Sequence, residues 1–173
     1  MSNIKEQWEQ RFYDYTILWM NPAFNAPHRA ILVSNLSGKF QLHSYDFITK
    51  FSRQLTKKSQ GTLFGSISSN GEYVFYLNDI AGGEHGHFMR IPFAGGHAID
   101  ITPSLPQYYS YEVSVNNTGN LLCFSASITT IECFTALAIS SVLAPFMVIS
   151  VIRLDTSPIK RCFLLSVNLG IPS

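Results

Sequence analysis

The chain has 173 residues, of which 46% are hydrophobic, 13% aromatic and only 13% charged, with a formal net charge of +1. That length suits one ordinary domain or a part of something larger. So small a net charge provides no field to gather nucleic acid or to steer an acidic ligand, which sets nucleic-acid binding aside.

The N-terminal segment Met1–Gln10 mixes both charge signs and lacks an apolar run, so it is not a secretory signal. Lys5–Tyr15 reads as one or two helical turns with Trp8, Phe12 and Tyr15 on one face. Asn21-Pro22 and Ala26-Pro27 then force an extended segment, because the residue before a proline is biased away from the helical region. Residues 1–29 are therefore expected to be a lead-in that packs on the first strands after it.

From residue 30 a repeat sets in. Asn70-Gly71 stands between two β-rich runs, a strong hairpin signal, and the glycine tolerates a positive φ. Tyr73–Leu77 is nearly continuous in apolar and aromatic residues, which suits a strand covered on both faces. Ser114-Val115, an Asn/Gly turn and Leu121–Phe124 repeat that plan, and Gly71 to Gly119 is 48 positions. Arg53–Thr56 resembles Asp100–Thr102, with Thr56 to Thr102 at 46 positions. Phe40–Asp46 is echoed by His87–Phe93, each after a glycine-bearing turn. Features recurring in one order at one period, with four strands per unit of roughly 40–50 residues, are the mark of a β-propeller blade. Strands are expected near 30–34, 40–46 and 52–55, then 64–68, 73–77, 87–91 and 98–101, then 111–115 and 121–125. The fold class is thus all-β, a partial β-propeller of two to three four-stranded antiparallel blades over 30–126. An antiparallel sandwich is the competing architecture.

Near residue 127 the chain changes character, and 127–173 is an atypical apolar tail. Cys133–Ile152 carries no charge and has the length of a bilayer span, with Arg153, Lys160 and Arg161 beyond it. Pro145 and frequent Ser and Thr interrupt the run. The alternatives are further blade strands, over 146–155 and 156–165 after an insertion at 128–145, or sequence unrelated to the repeat. Composition does not separate the three.

Candidate chemistry is sparse. His85-Gly86-His87 beside Glu84 puts two rings on one face of a strand, a usable metal pair, but no third ligand accompanies it. A blade turn shaped by Gly82, Gly83 and Gly86 explains the segment without a metal. Gly82-Gly83 and Gly95-Gly96 lack the helix start and Gly-Lys-Ser/Thr of a phosphate loop. The three cysteines, Cys123, Cys133 and Cys162, form no Cys-x-x-Cys pair, and reduced thiols are expected in a cytoplasmic protein. Tyr73, Phe75, Tyr76, Tyr108, Tyr109 and Tyr111 read as packing between blades. No catalytic, cofactor-binding or metal-binding residue is assigned, and no cofactor is expected.

The strings "EQWEQRF" (6–12), "SGKFQLHSYD" (37–46), "RQLT" (53–56), "GSISSNGEYVFYLND" (65–79), "GHFMRIPFAGG" (86–96) and "DITP" (100–103) together resemble the N-terminal propeller of prolyl-oligopeptidase-type serine peptidases. The acylaminoacyl-peptidase-like branch is the nearest in character, and TolB-type propellers share the blade pattern. The resemblance covers about residues 5–126. It implies a propeller that caps an α/β-hydrolase domain and screens peptides by size. That domain needs a Gly-x-Ser-x-Gly elbow with Asp and His downstream, and no such elbow occurs in these 173 residues. The resemblance therefore places this chain in the front third or quarter of such an enzyme, without catalysis of its own and with a missing or separate hydrolase domain as its partner. The alternative function is a stand-alone propeller-like module binding protein or ligand, membrane-anchored if Cys133–Ile152 spans. Two or three blades leave apolar faces uncovered, so self-association through them is also expected.

Overall fold

The computed structural model describes residues 14–110, 113–118, 121–128, 149–153 and 161–168. All its regular elements are strands, and no helix occurs among the described residues. The first sheet is a meander of β1 (Ile17–Pro22), β2 (Arg29–Ser34), β3 (Gln41–Asp46) and β4 (Phe51–Gln54), each antiparallel to the next. The second repeats the plan with β5 (Ser66–Ile67), β6 (Tyr73–Asp79), β7 (His85–Pro92) and β8 (Ile99–Asp100). The short β9 (Tyr108–Tyr109) pairs with His85 and Gly86 of β7 and with Ser127 of β11 (Leu121–Ile128). It thereby sews the second unit to a third, made of β10 (Val113–Val115), β11, β12 (Ile149–Arg153) and β13 (Arg161–Asn168).

These units are blades of a partial propeller. The repeat seen in the sequence has a physical basis at each echo. Ser68 N–H donates to the Tyr73 carbonyl at 2.9 Å, and Asn116 N–H donates to that of Leu121 at 3.0 Å. In return the Ser68 hydroxyl accepts Tyr73 N–H at 2.9 Å, and Asn116 Oδ1 accepts Leu121 N–H at 3.0 Å. Both hairpins thus close through a short polar side chain five residues ahead of the returning strand. The Leu-Thr and Ile-Thr echo is equally concrete. Leu55 N–H donates to the Leu42 carbonyl at 2.8 Å, and Ile101 N–H to that of Phe88 at 3.0 Å, so the same bond recurs one blade later.

The hairpin at Asn70-Gly71 differs in detail from a two-residue turn. Gly71 N–H donates to the Ser68 carbonyl at 2.8 Å, and only Gly71 has a positive φ, 69°. The turn runs over Ser68–Gly71, with the glycine absorbing the left-handed step. A Cβ there would also stand 2.9 Å from Arg29 Cδ.

The inner turns touch one another in sequence order. Asn25 N–H, after β1, donates to the Ser69 carbonyl at 2.7 Å, and Asn25 Nδ2 to that of Asn117 at 2.9 Å. The Ser69 hydroxyl reaches the Asn116 carbonyl at 2.5 Å. One turn from each unit meets at this seam, so β1, β5 and β10 are the inner strands of an arc. Two layers in a plain sandwich would not bring three successive inner turns together in this way.

The core lies between the sheets. Val74 and Tyr76 of β6, with Ile91 of β7, pack with Ile31, Val33 and Leu42 of the first unit. Phe75, one residue along, packs on the other side with Phe88, Tyr108, Leu122 and Phe124. Successive side chains of a strand point to opposite faces, so the continuous apolar run of β6 is a strand between two neighbours.

β6 and β7 approach closely at Gly86, where an added Cβ would lie 2.2 Å from the Asn78 carbonyl oxygen. That atom is backbone and cannot swing away. Gly86→Ala is expected to destabilise the fold by about 1–3 kcal/mol through forced separation of the two strands. Urea denaturation followed by tyrosine and tryptophan fluorescence measures it.

Ile17–Pro22, expected to be part of the lead-in, is instead the inner edge strand of the first sheet, and Pro22 sits at its end, where a missing N–H is tolerated. The expected helical turns lie over residues 5–15, of which 5–13 are outside the described residues. In the tail, β13 lies between β11 and β12 although it comes last in the chain, pairing from Leu121↔Asn168 to Ile128↔Arg161. Most of the uncharged run 133–152 is outside the described residues. Its last four, 149–152, are strand, and no described helix is long and apolar enough to cross a membrane.

Candidate functional site

Opposite the seam of inner turns, a cavity of about 150 Å³ opens between the β4–β5 connection, the β6–β7 turn and the entry to β10. Its apolar side is Leu63, Phe64, Leu77, Phe88 and Val113; Thr62 and Ser110 add hydroxyls, and Glu84 stands at the edge. Phe88, Thr62 and Ser110 are buried, whereas Leu63, Phe64 and Glu84 are exposed.

Each wall is held by its own local chemistry. Gly61 has a φ of 90°, and a Cβ there would lie 2.7 Å from the Phe40 carbonyl oxygen. That contact lets Thr62 N–H bond the same oxygen at 2.8 Å. Trp19 Nε1 donates to the Leu63 carbonyl at 2.8 Å and ties the connection to the first sheet. On the other side the β6–β7 turn closes through Ile80 N–H to the His85 carbonyl at 3.0 Å. Within it Ala81 and Glu84 adopt positive φ values of 53° and 54°, which non-glycine residues seldom do. The Glu84 carbonyl accepts Ser110 N–H at 3.2 Å, and this bond fixes the third wall against the second.

Among the described residues two acidic residues, Asp79 and Glu84, line the cavity, and they differ electrostatically. Lys58 Nζ donates to the Asp79 carboxylate and, at 2.6 Å, to the Asp79 backbone carbonyl. The side chains of that pair are 17% and 15% exposed, so the charges neutralise each other out of bulk water. The Glu84 carboxylate has no hydrogen bond or ion pair among the described residues. The cavity therefore combines an apolar wall with one net negative charge at its mouth.

The His-x-His pair lies elsewhere in function though beside it in sequence. His85 and His87 share a face of β7, as strand alternation requires. Each ring lies on a tyrosine: His85 on Tyr109 at 4.7 Å, and His87 on Tyr108 at 5.6 Å and 12°. His87 Nδ1 is 2.7 Å from Asp100 Oδ2. Asp100 Oδ1 accepts Thr102 N–H at 2.7 Å. The Thr102 hydroxyl meets the Tyr108 hydroxyl at 2.8 Å, and the latter accepts Phe88 N–H at 2.9 Å. This chain of bonds joins β7, β8 and β9 and finishes the seam between the second and third units. Glu84 points to the cavity wall instead, and no group of three or more His, Cys, Asp or Glu that could hold a metal assembles among the described residues.

Burial pushes the Tyr108 hydroxyl up to about 12; its bonds from Thr102 and Phe88 act against this, and the Asp100 charge adds to it. A neutral, hydrogen-bonded phenol between Phe88 and Phe124 is a packing group, as the sequence led one to expect of the aromatics. Tyr76 is also buried, and Tyr73 lies under the Arg90 guanidinium at 4.7 Å. Tyr111 is outside the described residues.

From sequence, Asp100 and Thr102 were read only as part of the repeat and Glu84 only as a neighbour of the His-x-His pair; the cavity itself was not read. A signal existed for Asp100: an Asp two residues before a Thr is placed to accept that residue's N–H. The cavity had none, since its walls come from segments some 20–50 positions apart with no shared motif.

No family model matches the chain, and no curated protein matches it. Among solved structures it is similar to an oligogalacturonate lyase in complex with manganese, with a TM-score of 0.49 and 17% identity over 62% of this chain and 28% of that one. It is similar to the tricorn protease, with a TM-score of 0.46 and 9% identity over 67% of this chain and 11% of that one. It is also similar to TolB from Acinetobacter baumannii, with a TM-score of 0.46 and 16% identity over 88% of this chain and 32% of that one. The chain thus spans less than a third of the length of each of these proteins.

Proposed function

We propose that the chain is the non-catalytic propeller portion of a serine-peptidase-like protein, serving to cap and gate a peptide-hydrolysing site carried by an α/β-hydrolase domain. The observation that carries this is the arc of consecutive blades, with their inner turns hydrogen-bonded in chain order. It runs through the same residues, 37–103, whose strings resemble the peptidase propeller. A gate of this kind works by geometry: an aperture at the inner strands admits extended peptides and excludes folded chains. The nucleophile belongs to the hydrolase domain, because the 173 residues contain no Gly-x-Ser-x-Gly. In this reading the partners are that domain and, through exposed blade faces, further blades or copies, within the cytoplasm.

The test is the coding sequence beyond this segment, read in all frames, together with a peptide-cleavage assay on the 173-residue chain. An α/β-hydrolase region with its nucleophile elbow, and no cleavage by the chain alone, are expected. A different domain in that place, or turnover of a chromogenic acyl-peptide by these residues, overturns the reading. A second reading, a stand-alone binding module, draws support from the cavity at Thr62, Leu77, Phe88 and Glu84, which is formed within the chain.

A further inference from the structure

We infer that the cavity beside Glu84 is a binding site for a small apolar group carrying a positive charge, such as an arylalkylammonium.

Three observations converge on that ligand. The first is size. An apolar cavity of about 150 Å³ accommodates a molecule such as benzene, and the volume between Thr62, Leu77, Phe88 and Val113 is about 150 Å³. One aromatic or branched aliphatic group fits, and a peptide segment or a sugar chain does not. The second is the lining. Leu77, Phe88 and Val113 offer carbon surface, and Phe64, exposed at the edge, is placed to close over a ring. The third is charge. Among the described residues lining the cavity, Asp79 is already neutralised by Lys58, whereas Glu84 has no partner. No Lys, Arg or His among the described residues lines the cavity. A cation is therefore attracted at the mouth and an anion repelled.

The backbone supports the placement. Glu84 is held at a φ of 54°, and its carbonyl is bonded by Ser110 N–H. The backbone of Glu84 is thus fixed beside the cavity. This inference concerns a ligand and is independent of whether the parent protein is a peptidase. The coding sequence decides the latter, and binding decides the former.

The experiment uses the whole 173-residue chain and three benzyl probes: benzylamine (cationic at pH 7), benzyl alcohol (neutral and isosteric with it) and the slightly larger phenylacetate (anionic). Binding is followed by shifts in protein amide and methyl resonances. Benzylamine is expected to bind with a millimolar dissociation constant, about fivefold tighter than benzyl alcohol, as one exposed charge pair allows. Phenylacetate is expected to bind more weakly than either. Shifts should centre on Leu77, Phe88 and Val113. Glu84→Gln, an exposed and nearly isosteric change, should bring benzylamine to the level of benzyl alcohol and leave benzyl alcohol unchanged. Equal or tighter binding of phenylacetate, shifts centred away from these residues, or an unchanged cation preference in Glu84→Gln would each overturn the inference. So would the absence of binding by all three probes at tens of millimolar.

Discussion

Replacing Phe75 by alanine is expected to cost about 3–5 kcal/mol, enough to bring the fold near its unfolding midpoint. Phe75 is fully buried on the central strand β6 and packs with Phe88, Leu122 and Phe124 across the junction of the second and third units. Removing its ring loses the transfer free energy of the side chain and leaves a space that the flanking sheets cannot refill, because each is held in register by its own ladder. The measurement is equilibrium urea unfolding, with Phe47→Ala, at an exposed position, as the control expected to cost under about 0.5 kcal/mol. Similar small losses in both variants would mean that the two units do not pack through β6. Val74, on the other face of the same strand, belongs to the junction with the first unit, so a double variant at 74 and 75 tests whether the two junctions are separately additive.

Raising the pH from 10 to 12 should destabilise the protein by about 2 kcal/mol through Tyr108. The unfolded chain releases this phenolic proton near 10, whereas burial holds it in the folded chain up to about 12. Between those values the unfolded state binds fewer protons than the folded one, so stability is complete below pH 10 and falls as pH rises. Tyr76, likewise raised by burial, acts in the same direction. Tyr108→Phe should remove the Tyr108 share of the alkaline slope while lowering stability at neutral pH. The neutral-pH loss is expected because Phe88 N–H is left buried without its partner, at about 1–3 kcal/mol, while the Thr102 hydroxyl keeps its 3.4 Å bond to Asp100 Oδ1. A variant with the wild-type slope between pH 10 and 12 would show that Tyr108 is accessible to water in the folded chain.

These two residues illustrate different degrees of legibility. Phe75 could be placed from sequence, because an unbroken run of apolar residues between turn signals is what a strand with two covered faces requires. Tyr108 was legible only as an aromatic that packs. Its bonds to Thr102 and to the backbone of Phe88 join positions 6 and 20 residues away, and no local pattern encodes them. The same contrast separates the two histidines from the cavity. That His85 and His87 share a face follows from strand alternation alone. That Asp100 takes up one ring, and that Glu84 turns to a cavity instead, depends on where β8 and β9 lie along the edge of β7.

The tail shows the limit from the other direction. The sequence offered strands over 146–155 and 156–165 as one of three readings of the tail; the structure has strands at 149–153 and 161–168, in an order the sequence did not suggest. β13 takes the place beside β11 and leaves β12 at the edge. Which strand of a hairpin joins an existing sheet is decided by the fit of its side to that sheet, a property of two surfaces that neither segment carries alone.

By itself, then, the amino-acid order determined most strands of the blades between residues 30 and 125, their turns and their spacing, though not β1 or β9. Those features depend on near neighbours: a glycine able to take a positive φ, a serine or asparagine able to close its own hairpin, a side-chain period of two. Only the tertiary structure decided the seam of inner turns, the His87–Asp100–Thr102–Tyr108 chain and the cavity beside Glu84. Each of these joins groups far apart along the chain, and such groups meet only after the sheets have been brought together by burying their apolar faces.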